Sequence, residues 1–261
     1  YDAKGNLTKV TQPGGLVTAY SSYTPTGRPQ RVTDPNGVAT AYTYDPLDRV
    51  KTVTTAGDTT AYSYTSSGKI SSITLPKGNA VTYSYDTLDR LTEIADALGN
   101  SINYAYDSAG NRLKEEIKDA TGALQKALSF QHDALNRLTR IVGPDAAYTE
   151  YAYDARGNRV SLKTPNSQLT SYQHDSLNRL ASVIQPPPGG VTTSYAYHTN
   201  DGLTSVTDGN GNQTAYQYDD MGRVFQVVSP DTGTTAYSYD PAGNLVAKTD
   251  AKGATTSYQY D

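Results

Sequence analysis

Thirteen copies of one short pattern run through the 261 residues, and no other feature limits the fold as much. Each copy is anchored on an aromatic ring that is followed, as a rule, by Asp. The anchors fall at positions 1, 23, 44, 64, 85, 106, 132, 153, 174, 197, 218, 239 and 260. Eight of the twelve spacings are 21 residues, and the others are 22, 20, 26 and 23. The anchor is Tyr at eleven places and His at two, His132 and His174. Asp follows at ten, the exceptions being Thr24, Thr65 and His198. Two residues before the anchor stands another Tyr ten times, and Phe130 once. A unit this short cannot bury a face by itself, so the copies must stack, and equivalent residues then dock on one another.

The fourth residue after each anchor exposes a backbone demand. It is Gly at 5, 27, 68, 110, 157, 222 and 243, Asp at 48, 89 and 201, and Asn at 136 and 178. Gly, Asn and Asp visit positive φ at least cost, so the set predicts a turn with a left-handed residue at this place. After the turn come segments such as "RLTEIAD" (90–96), in which, in most repeats, the third residue beyond the first aliphatic is again aliphatic: Val53, Ile73, Ile94, Ile141, Val183, Val206 and Val227, with Leu162 at the same place in the repeat that begins at Tyr153. A second turn follows, rich in Pro, Gly, Asp and Asn, as in "DPNG" or "DGNGN". Then comes a second strand such as "TAYTY", where Thr40, Tyr42 and Tyr44 point one way while Ala41 and Thr43 point the other. The expectation is an all-β repeat protein, a sheet of stacked β-hairpins with two strands per 21-residue unit and a single array of about twelve repeats over residues 1–261. The segment 113–128, "LKEEIKDATGALQKAL", is the least strand-like stretch of the chain.

Composition agrees with a thin sheet. Hydrophobic residues make up 36% of the chain, Trp is absent, Met occurs once, Phe twice and Tyr 23 times, and 21 of those tyrosines occupy the two repeat places. An aromatic ring with a wet hydroxyl suits a surface half exposed to water better than a thick core. The net charge of −4 comes from interspersed acids and bases, with no basic block to neutralise phosphates, so nucleic acid is not an expected partner. No apolar run approaches the roughly 20 residues a membrane-spanning helix needs. Zero Cys excludes disulfides and thiolate sites and leaves the compartment open.

Two repeats are irregular. The 106–132 unit is the longest, and its extra residues near "IKDATGALQK" are expected in an edge loop; the 174–197 unit carries "QPPPGG" (185–190), which reads as a stiff, expanded turn.

The pattern resembles that of the Rhs/YD-repeat family, Y-D-x-x-G-R-L-x-x-[VI]-T-D-x-x-G-x-x-T-x-Y-x-Y-D. "YDDMGRVFQVVSPDTGTTAYSYD" (218–240) follows it closely, and "YDPAGNLVAKTDAKGATTSYQYD" (239–261) nearly as well. The family includes bacterial Rhs polymorphic toxins, the C subunits of insecticidal Tc toxins, and animal teneurins. The resemblance implies a spiralling β-sheet that closes into a hollow shell, which in the bacterial toxins holds a toxic C-terminal domain. The "DPxGL" segment that ends the repeats in toxin members is not found here. The chain is therefore expected to be a run of repeats from a longer, exported bacterial protein, secreted or at the cell surface, and an open arc rather than a closed shell. Its unpaired sheet edges invite edge-to-edge self-association.

Residues that could carry chemistry read more simply as structure. His132 and His174 stand where Tyr stands elsewhere, and His198 replaces the repeat Asp, so the three lie in separate repeats without the spacing of a zinc site. The Asp after each anchor reads as a turn residue that hydrogen-bonds the backbone two residues on. "DGNGNQT" (208–214) resembles the start of a calcium loop, but its sixth place holds Gln213 instead of Gly. "SSGKI" (66–70) lacks the surroundings of a phosphate loop, and no G-x-S-x-G elbow occurs. Asn6 and Asn212 fit the glycosylation sequon, which matters in a eukaryotic secretory route. No catalytic, cofactor-binding or metal residue is assigned, no cofactor is expected, and the chain is not expected to be an enzyme. Two functions stay open. One is a structural segment of a shell around a toxin or other cargo domain of the same parent protein. The other is a cell-surface adhesion or carbohydrate-binding repeat module.

Overall fold

Alternating Thr/Tyr and small residues, interrupted by left-handed turn residues, leave the backbone one economical course: out along a strand, back along the next. The computed structural model describes residues 1–260, which carry 24 strands and no helix among the described residues. The chain divides into two units, Tyr1–Phe130 and Gln131–Asp261. Within each unit every strand pairs antiparallel with the next in sequence. The strand Ala39–Tyr44, for example, pairs with Val50–Thr55, and that strand pairs with Asp58–Tyr64.

All twelve places singled out by the Gly/Asp/Asn pattern have positive φ, from 59° at Asp89 to 93° at Gly110 and Gly157. The turn closes with two backbone bonds: the Asp48 N–H donates to the Asp45 carbonyl at 3.0 Å, and the Asp45 N–H to the Arg49 carbonyl at 2.9 Å. The second turn is usually the same device. The Gly37 N–H donates to the Asp34 carbonyl at 3.0 Å and the Asp34 N–H to the Val38 carbonyl at 2.9 Å. Its left-handed residue is a Gly in most repeats but Ala146 and Ser167 in two (φ 58° and 61°), side chains that do not advertise this conformation.

A bulge explains the odd spacing of the aliphatic residues. Val50 and Val53, three apart, would face opposite sides of a regular strand. Instead Tyr44 pairs with Val50 and Thr43 with Thr52, which leaves Lys51 unpaired and turns both valines to the tyrosine side. The same shift recurs before Tyr64, Tyr85, Tyr153, His174, Tyr197, Tyr218 and Tyr239. Tyr42 then lies opposite Val53, and Val53 opposite Thr60, giving a repeating row across the sheet.

Each unit is a single layer. Only Phe130 (8% exposed) and Ser182 (7%) are buried among the described residues. One face carries the half-covered Tyr, Val, Ile, Leu and Thr rows; the other presents small or polar residues such as Ala41, Thr43, Ser84, Gln217 and Ser238 to water.

The irregular spacings are absorbed in distinct ways. The extra residue before Tyr23 is Ser22 (φ 55°), which lies between the pairs Ser21–Arg31 and Tyr23–Pro29, and Tyr20 lies opposite Val32, the place Tyr42 takes opposite Val53. The missing residue before Tyr64 shortens the second turn to Ala56–Gly57, with Thr55 opposite Asp58. The long 106–132 unit corrects the expected edge loop. Its residues lengthen the hairpin itself, as the strands Arg112–Lys118 and Leu124–His132, joined by an ordinary Asp119 turn. Glu115 opposite Leu128 and Ile117 opposite Lys126 carry the pairing outward, and it shifts once beyond them, where Lys118 lies opposite Leu124. "QPPPGG" is the expanded turn expected, closed by the Gln185 N–H donating to the Val191 carbonyl at 2.9 Å.

Candidate functional site

The most polar side chains of the repeat converge on a clip at the first turn. The Asp45 Oδ1 accepts the N–H of Leu47 at 2.9 Å and of Arg49 at 3.0 Å, and its Oδ2 accepts the Arg49 Nε at 2.7 Å. The Arg49 guanidinium then lies 4.3 Å from the centre of the Tyr64 ring, the anchor of the next repeat. Arg90, Arg137, Arg179 and Arg223 repeat the arrangement over Tyr106, Tyr153, Tyr197 and Tyr239, at 4.9, 4.7, 4.8 and 4.8 Å. Each of these four also donates from Nη1 to a carbonyl of the following turn; Arg90 to Asp107 is 2.7 Å. Where Asn replaces Arg, as at Asn158 and Asn244, its amide bonds the same Asp.

The anchor phenol makes the reverse connection. Tyr64 donates to the Val50 carbonyl at 2.7 Å, Tyr85 to Ile70 at 2.9 Å, Tyr106 to Leu91 at 2.8 Å and Tyr239 to Val224 at 2.8 Å. Burial pushes the phenols of Tyr44, Tyr85 and Tyr197 above the ordinary range, so they remain protonated donors. Carboxylate, guanidinium and phenol are thus used to fasten one repeat to the next.

The clip makes stability acid-sensitive. Hydrogen bonds from the Arg N–H and then the Arg side chain hold Asp86, Asp133, Asp175 and Asp219 below the usual carboxylate range; at Asp45 the Arg49 side chain is the larger cause. A folded-state value below the unfolded one adds stability above the unfolded value, and that stability is lost as pH falls through the folded one. The melting midpoint should therefore stay level from neutral pH to about pH 5 and fall steeply below about pH 4. A thermal melt that is unchanged at pH 3 would contradict the clip.

The residues that the sequence offers for chemistry occupy anchor and turn positions. His132 and His174 take the anchor place, each with its Nδ1 buried and without a partner among the described residues. His198 heads a turn, its Nδ1 2.8 Å from the Asn200 Oδ1. The Asp208 carboxylate is occupied by its own turn, accepting the N–H groups of Asn210 and Asn212 and the Asn212 amide. Gly68 of "SSGKI" is the left-handed turn residue, and Ser67 donates to Asp89 at 2.7 Å. No group of three or more His, Cys, Asp or Glu among the described residues is placed to hold a metal. The Arg after the left-handed residue has a role that the repeat pattern alone does not assign; its recurrence in "DR", "NR" and "GR" is the signal that points to it.

The family model of the RHS Repeat matches nine segments, some of them overlapping: 1–39, 23–61, 64–101, 85–124, 132–169, 153–186, 198–234, 226–255 and 239–261. The chain belongs to the RHS repeat family. Comparison with curated protein sequences finds no match. Among solved structures, this RHS repeat chain is similar in fold to the crystal structure of TcdB2-TccC3-TEV, with a TM-score of 0.58 and 14% identity over 94% of this chain and 16% of that one. It is also similar to the Photorhabdus luminescens Tc holotoxin pore carrying a TccC3 mutation (TM-score 0.58, 14% identity, 93% and 16%). TcdB2-TccC3 without its hypervariable C-terminal region gives a TM-score of 0.54 at 14% identity, over 96% of this chain and 16% of that one. The RHS repeats here thus span about one sixth of the length of those chains. No helix among the described residues is long and apolar enough to cross a membrane.

Proposed function

We propose that this RHS repeat chain is wall and not catalyst: one array of about twelve repeats in a longer exported protein, forming part of a shell around a toxin or other cargo domain of that protein. The carrying observation is the fate of the polar groups. The Asp, the Arg and the anchor phenol, the side chains with which a repeated active site would work, are engaged in joining neighbouring repeats. A single layer with one ring-lined face and one small, polar face is also what separating two spaces requires. Likeness of fold to a stretch of TccC3-containing toxin structures supports the same reading. The test is protease protection in the full-length parent. The cargo should resist digestion while the repeats are intact and become digestible when the sheet is loosened. Cargo that is cut as fast in the intact protein as when isolated would rule the container out.

A further inference from the structure

Two anchors break the tyrosine ladder, and they break it together with a second position. At the sixth residue after an anchor, every repeat followed by a Tyr anchor has Leu, Val, Ile or Pro; the two repeats followed by His have Arg112 and Arg159. The pairing has a physical reason. Elsewhere the anchor phenol bonds the carbonyl of this sixth residue, as Tyr153 does to Leu138 at 2.8 Å. His174 is shorter, and its buried Nδ1 has no partner among the described residues. As a replacement rung it is therefore poor.

What the exchange creates is space and charge. Tyr153, Arg159, Tyr172, His174 and Leu180 line a cleft of about 390 Å³ on the tyrosine face of the second unit. The Arg159 guanidinium lies 4.6 Å from the Tyr172 ring centre and, unlike Arg137 or Arg179, is engaged by no carboxylate among the described residues. The neighbouring Asp154 is already taken up by the N–H groups of Arg156 and Asn158 and by the Asn158 amide. One cation with planar donors, an imidazole and apolar ring walls match a single carboxylate on a chain that can lie against the rings. A phosphate dianion would be left half neutralised there.

We infer that this cleft binds an Asp or Glu side chain of an acidic peptide segment, and, on the container reading above, that the segment belongs to the cargo. The test uses the full chain, with acetyl-triglutamate amide as probe and acetyl-triglutamine amide as its uncharged counterpart, followed by calorimetry or NMR titration. The double variant Arg159→Leu/His174→Tyr restores the ladder residues that the other repeats carry, so it should fold at least as well as the parent chain. The glutamate peptide should bind saturably, and the glutamine peptide or the double variant should weaken binding by about tenfold or more. Absence of saturable binding, or equal binding by the folded double variant, would overturn the assignment. Preference for an oligogalacturonate over the glutamate peptide would overturn it in favour of a glycan. None of these outcomes alters the protease-protection result, so the two proposals fail separately.

Discussion

Tyr216→Ala is expected to destabilise the second unit by roughly 1–3 kcal/mol, the range for truncating a partly buried aromatic ring in a sheet. Tyr216 lies in the middle of the strand Gln213–Tyr218, opposite Val227, which in turn lies opposite Thr235. Removing the ring uncovers that row on both sides, and no second layer can collapse into the gap. Tyr218, two residues on, works differently: its hydroxyl donates to the Leu203 carbonyl at 3.0 Å. Phe should therefore be tolerated at 216, where the ring supplies the contact, and should cost about 1 kcal/mol at 218, where a hydrogen bond is lost. Denaturant unfolding of the three variants checks the order. A neutral Tyr216→Ala, or a Tyr216→Phe as damaging as the alanine, would mean that the row does not hold the sheet.

The contrast between those two tyrosines marks the boundary between what a sequence can and cannot say. Period, alternation and the Gly/Asp/Asn set are local properties, so the strands, the tyrosine face and twelve left-handed residues are legible in the sequence. Longer-range consequences are not. The aliphatic pair typified by Val50 and Val53 is visible, but its three-residue spacing makes sense only once Lys51 is bulged out by pairing with the neighbouring strand. Tyr20 falls outside the two repeat places, because the extra residue Ser22 sets it one position further from the anchor, and only its pairing opposite Val32 shows the row it joins. "LKEEIKDATGALQKAL" has the charge and Ala content of a helix and becomes a hairpin, since the strands on its flanks offer it partners. Ala146 and Ser167 are held at positive φ by the turn bonds around them. The candidate cleft is hidden for a similar reason. Each His taken singly is a substituted rung, and the cleft lined by Arg159 and His174 exists only where residues fifteen apart are brought together.

Gly222→Val is the sharpest test of the turn itself. Gly222 sits at φ +77°, and a Cβ added there meets nothing within 4 Å. The Cβ itself therefore meets no obstacle, and the expected penalty belongs to the backbone conformation. For an L-residue the left-handed region costs about 1–2 kcal/mol, and branching at Cβ raises it further. Asn should be far milder at 222, because Asn136 and Asn178 already occupy the equivalent places at φ 62° and 65°. The converse change, Asp48→Gly, relieves the left-handed Asp at φ 60° but loses the 2.8 Å bond from Thr26 and adds unfolded-state freedom. Those opposing terms should leave a net change of about 1 kcal/mol or less. The expected order of destabilisation is Gly222→Val well above Gly222→Asn, with Asp48→Gly near the parent. Equal midpoints for the Val and Asn variants would show that the turn does not require a left-handed residue, and the reading of all twelve positions would fall with it.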